Sequence, residues 1–135
     1  MFQKRRAYHD IFTSGILKDM EIRIVKGYIL RAQLKEIAEH QFGDFVKAAV
    51  DIAEGVMAVG GELHMDEEVA LIEREGSRPE NVWGINLHVD KTGDEWIEFD
   101  SMINLKPASG NRSRGIDSPT IREEIKKIVE KLVKL

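Results

Sequence analysis

The residues of this sequence with the chemistry to act on a ligand are sorted by their spacing into two groups. Lys47 and Asp51, Glu62 and His64, Asn86 and His88, and Glu98, Asp100 and Asn104 are separated, within each predicted strand, by multiples of two. Along an extended strand that spacing sends side chains to one face. Four predicted strands would therefore gather carboxylates, imidazoles and amides on a single surface. A carboxylate beside an imidazole suits proton transfer, which makes Glu62, His64 and Asp100 the candidate acid–base residues. The same ligand types, Glu62 and His64 with His88 or Asp100, would also accept zinc, manganese or iron. An antiparallel sheet with one wet face produces such alternation with no function at all. That bland reading comes first, a catalytic or ligand-binding face second, a metal third.

The second group is the loop Gly110-Asn111-Arg112-Ser113-Arg114-Gly115. Arg112 and Arg114 can fork onto a phosphate or carboxylate, with Asn111 and Ser113 as further polar contacts and Asn86 and Asn104 contributed by the adjoining strands. A helix start near Ser118–Thr120 would add N–H donors. The spacing matches no Walker or dinucleotide fingerprint. The competing reading has Arg112 or Arg114 pairing with Asp100, Glu98 or Asp117 and pinning the loop, as arginines in an acidic domain do.

The elements that must position these residues follow from periodicity. Glu21–Val25 alternates as a strand. Leu34, Ile37, Ala38 and Phe42 form a helical stripe from about Arg31, stopped at Gly43. Phe45–Ile52 and Val56–His64 read as a hairpin through Ala53-Glu54-Gly55. Asp66 reads as an N-cap with Glu67 and Glu68 in the first turn of a helix that ends by Gly76. Val82–Val89 and Trp96–Leu105 read as a second hairpin. In the last helix Ser118 is the cap, Pro119 the first residue, and Ile121, Ile125, Ile128, Val129 and Leu132 the buried stripe. The expected fold is α+β: a mainly antiparallel sheet of four to five strands with about three helices packed on one face. Trp96 and Met102 fall on the opposite, outward face among small residues, so something should cover part of it.

Composition bounds the rest. With 135 residues, 42% hydrophobic and 33% charged, the chain suits a single soluble domain. No apolar run approaches the roughly 20 residues of a membrane span, and nothing reads as a signal peptide, so the cytoplasm is the expected location. The absence of cysteine excludes disulfides, thiolate metal sites and cysteine nucleophiles, and fits, weakly, a hot-adapted source. A net charge of −4 argues against nucleic acid as a partner. Lys4, Arg5, Arg6 and Lys18 against Asp10 and Asp19 make residues 1–19 net +2 and leave −6 on the remainder. Residues 1–19 are therefore expected to be an appendage, a short helix or a mis-assigned start, before a domain over 20–135.

Four segments together, Gly60-Gly61-Glu62-Leu63-His64, Trp83-Gly84-Ile85-Asn86-Leu87, Trp96–Asn104 and Asn111-Arg112-Ser113-Arg114-Gly115, carry a resemblance. Over roughly residues 21–135 the chain resembles a small prokaryotic family catalogued as domain of unknown function 5674. The resemblance implies the domain limits and brings no activity, cofactor or catalytic residue. Two functional expectations remain. One is a binding module or enzyme for a phosphate- or carboxylate-bearing small molecule, using the polar sheet face and the arginine loop. The other is a non-catalytic interaction protein that forms a homo-oligomer, a dimer first, through the outward face.

Overall fold

The computed structural model describes residues 22–135, and residues 1–19 lie outside that range. Strands β1 (Arg23–Val25), β3 (Phe45–Asp51), β4 (Val56–Val59), β5 (Val82–His88) and β6 (Ile97–Glu98) make one antiparallel sheet in the order β1-β4-β3-β5-β6. The fold is α+β. Short strands β2 (Ile29–Leu30) and β7 (Val133–Lys134) pair in parallel beside it. Helices α1 (Arg31–His40), α2 (His64–Glu75) and α3 (Pro119–Leu132) complete the described elements, with short 3-10 turns between. No helix among the described residues is long and apolar enough to cross a membrane.

Strand parity divides the sheet as the alternation predicts. Val46, Ala48, Val50, Met57, Val59, Trp83, Ile85 and Leu87 lie in one core, into which α1 sends Leu34 and Ala38 and α3 sends Ile125, Val129 and Leu132. Helix α3 forms where expected: the Ser118 hydroxyl accepts from the Ile121 N–H at 3.2 Å, with Pro119 in the first turn.

The opposite face corrects the expectation that all helices share one side. Helix α2 lies there, packing Ala70 and Leu71 against Ala49, Val56, Ala58 and Val82. These small strand residues, which suggested that something must cover the face, are covered by α2 of the same chain. The strand expected over Val56–His64 stops at Val59 because Gly60 turns the chain at φ +93°. A Cβ on Gly61 would sit 2.8 Å from Cγ of Glu67, so only glycine lets the backbone approach α2 this closely. Helix α2 accordingly begins at His64, with Leu63 as its cap residue and Asp66 and Glu67 inside its first turn, three residues earlier than an Asp66 cap would place it. It ends at Gly76, φ +72°, where Gly76 and Ser77 donate back to Ile72 and Leu71.

Trp96–Leu105 is not one strand. Only Ile97–Glu98 pairs with β5, and Met102–Asn104 is a 3-10 turn capped by the Ser101 hydroxyl. Ile97 belongs to the first core and Ile103 to the second. The apparent alternation was two segments that bury their apolar residues on opposite faces.

Where β6 ends, Asn104 takes over its hydrogen bonding. The Asn104 amide, fully buried, accepts from the Gly84 N–H at 2.8 Å and donates to the Gly84 carbonyl at 3.0 Å and the Arg114 carbonyl at 2.9 Å. One side chain thus pairs β5 as a strand would and ties the Arg114 loop to the sheet. Gly84 is required beneath it, since a Cβ there would meet Ser101 at 2.5 Å.

Candidate functional site

A hollow of about 510 Å³ opens between the start of α2, strands β3 and β5 and the segment after β6. Its polar lining comes from Lys47, His64, Asn86, Glu98, Asp100 and Arg114. Lys47, Asn86 and Glu98 arrive by strand parity. His64 arrives as the first residue of α2, after the glycine turn, and not along a strand.

His64 is buried, and its Nε2 donates to the Ile85 carbonyl at 2.8 Å. A carbonyl can only accept, so the neutral ring carries its proton on Nε2 and keeps the lone pair on Nδ1. Burial pushes the ring below its usual 6.5, and the charge of Lys47 adds to this. The Ile85 hydrogen bond, the Asn86 side chain and the charge of Asp100 pull the other way. The balance leaves His64 neutral at neutral pH, the form that can take up a proton.

Asn86 is held by its donors. Nδ2 reaches Glu98 Oε1 at 3.1 Å and the Asp100 carbonyl at 3.3 Å, which fixes the amide orientation. Its Oδ1 is buried and has no partner among the described residues. Glu98 Oε1 also meets His88 Nε2 at 2.9 Å, and that contact holds its carboxyl below the usual range.

Arg114 donates from Nε to Asp100 Oδ1 at 2.7 Å. This is the loop-pinning pair that the sequence offered as the alternative to anion binding, and it leaves both groups in the pocket lining. Arg112 is exposed and outside the lining, Ser113 donates to Asp117 at 3.1 Å, and Glu62 is exposed in the turn before α2. Asn111 Nδ2 donates to the carbonyls of Asn104, Ser113 and Gly115, while its Oδ1 accepts from the Asp117 N–H. Asn104 and Asn111 have thus committed their amides to backbone groups. Among the described residues no three His, Asp or Glu side chains converge as metal ligands.

The structure therefore brings together His64, Asn86, Asp100 and Arg114, and leaves Glu62 and Arg112 outside. Sequence reasoning placed Lys47 on the polar face but gave it no role. Burial lowers the pKa of His64 and raises that of Glu67, and the charge of Lys47 adds to the first shift and opposes the second. Leu63, Met65 and Met102, which also line the hollow, had no sequence signal beyond an outward Met102.

Residues 23–132 match the model of a family described as "Protein of unknown function (DUF5674)". No curated protein and no solved structure matches the chain.

Proposed function

The chain belongs to the DUF5674 family, and for this member we propose a binding site for a small carboxylate- or phosphate-bearing molecule, with His64 as the proton acceptor. The observation that carries the reading is the neutral His64 on the wall of a pocket that also presents Lys47 and Arg114. Lys47 supplies a cation whose described contact is the Phe42 ring, 5.0 Å away. Arg114 spends Nε on Asp100 and keeps further N–H donors. The start of α2 adds positive potential from its first turn. Asp100 supports His64 electrostatically, favouring the imidazolium that proton transfer would create. Asn104 and Asn111 act in this reading as the frame that holds the Arg114 loop.

Thermal shift with inorganic phosphate and short carboxylates tests the proposal, since a ligand preferring the folded state must raise the melting temperature. Lys47→Ala or Arg114→Ala alone should weaken the response, the two together should abolish it, and His64→Gln should retain binding. No response to any anion tested rejects the reading. The exposed Leu63, Met65 and Met102 favour a second reading, a homo-oligomer joined at this face. Light scattering at micromolar concentration decides it: a monomer rejects the second reading.

A further inference from the structure

The pocket that presents Lys47 and Arg114 also has exposed apolar walls. Leu63 is 50% exposed, Met65 54% and Met102 61%. They come from two separate elements, Leu63 and Met65 from the start of α2 and Met102 from the turn after β6, and all three line the hollow that holds Lys47 and Arg114. Phe45 continues this surface inward, stacked on Phe42 with ring centroids 4.8 Å apart. Cationic groups and flexible apolar side chains in the lining of one hollow make a two-part surface.

We propose that the ligand of this pocket is an amphiphilic anion: a carboxylate or phosphate head with a short apolar chain, the head on Lys47 and Arg114 and the chain on Leu63, Met65 and Met102. The inference rests on the anion-site reading above and adds the ligand's second half. Two observations favour such a molecule over a second copy of the chain. Three side chains around one opening offer far less than the roughly 800 Å² per partner of a stable protein interface. The hollow of about 510 Å³ beneath them has the size of a small-molecule site.

Calorimetric titration of straight-chain carboxylates from acetate to decanoate, with alkyl phosphates of matching length, tests the proposal on the full chain. Burying one methylene completely is worth about four-fold in affinity, so a half-exposed rim should give about two- to four-fold per methylene until the chain outruns the pocket. Leu63→Gln, Met65→Gln and Met102→Gln together should flatten that slope and leave acetate and inorganic phosphate unchanged. All three positions are at least half exposed, so the fold tolerates the change. Lys47→Ala should weaken every member of the series equally and preserve the slope. Equal affinity for all chain lengths overturns the amphiphile proposal while leaving the anion site standing. Failure of every anion to bind, inorganic phosphate included, overturns the anion site itself. A dimer in light scattering that the three glutamine substitutions dissolve assigns the rim to a second copy and also overturns the proposal.

Discussion

Replacing Asn104 with Ala removes a hydrogen-bonding surface that the backbone cannot replace. Three bonds disappear, from the Gly84 N–H and to the Gly84 and Arg114 carbonyls. The Arg114 carbonyl keeps a second donor, the Ser101 N–H at 2.9 Å, so it is not orphaned. Both Gly84 groups are left buried without a partner, because β6 pairs with β5 only at Asn86 and Leu87. At about 1–3 kcal/mol for each orphaned group the loss is roughly 2–6 kcal/mol, before any cavity term. Against a domain stability of about 5–15 kcal/mol this is a large share. Urea denaturation followed by tryptophan fluorescence reads it, since Trp83 lies in the core. Asn104→Leu separates bonding from packing: it fills the space, lacks the bonds, and should be destabilised about as much as Asn104→Ala. Asn104→Asp retains an acceptor for Gly84 but has no donor for the two carbonyls, so it should be most harmful at neutral pH and recover partly in acid. An Asn104→Ala protein within about 1 kcal/mol of wild type, with an unchanged denaturant slope, refutes the claim that this side chain stands in for a strand.

Three further outcomes follow from buried groups. Gly84→Ala places a Cβ 2.5 Å from Ser101 and 3.1 Å from Ile103, and the overpacking should cost about 1–3 kcal/mol, part of it recovered by adding Ser101→Gly. Glu67 is fully buried, and burial raises its carboxyl well above the ordinary 4.5. The folded state therefore binds the extra proton, and the stabilisation is full below about pH 4.5 and lost as the pH rises through the folded value. Glu67→Gln should remove that part of the pH dependence in thermal melts, and an identical profile for wild type and variant counts against it. His64 has the opposite sign: its folded pKa lies below 6.5, so its contribution is present above 6.5 and declines as the pH falls through the folded value. Nitrogen-15 spectra should find His64 with its proton on Nε2 and titrating below 6.5; an Nδ1 tautomer would contradict the hydrogen bond to Ile85.

Much of this fold was legible in the sequence, for reasons that differ between elements. Helix α3 carries every signal at once: a capping serine, a proline behind it and a regular apolar stripe. The β3 and β5 alternation sorted Val46, Ala48 and Val50 from Lys47 and Ala49 correctly, because each strand packs different partners on its two faces. What alternation could not reveal was that the second face is also covered, since Ala49, Ala58 and Gly84 under a helix look the same as small residues facing solvent. The stretch after β6 misled for a different reason. A side chain that mimics a strand leaves no periodic trace, and Asn104 read as one more polar residue in a row. In the candidate site, parity put Asn86, Glu98 and Asp100 on a common face. His64 reached that face by a route no strand pattern encodes, through the positive φ of Gly60 and the first turn of α2. Arg114 with Asp100 was one of several pairings that charge alone offered, and the two lie 2.7 Å apart.

The central claim is that the hollow at the start of α2 is an anion site built on Lys47 and Arg114, with His64 in its wall. Titrating nitrogen-15-labelled protein with inorganic phosphate at pH 7.5, and mapping the amide shifts, tests it most directly because even weak binding is seen and located. The account predicts saturable shifts centred on Lys47, His64, Asn86, Asp100 and Arg114, needing much more phosphate to saturate in Lys47→Ala. Shifts centred elsewhere, such as the Arg122–Lys126 face of α3, or no saturable shifts at all, would contradict it.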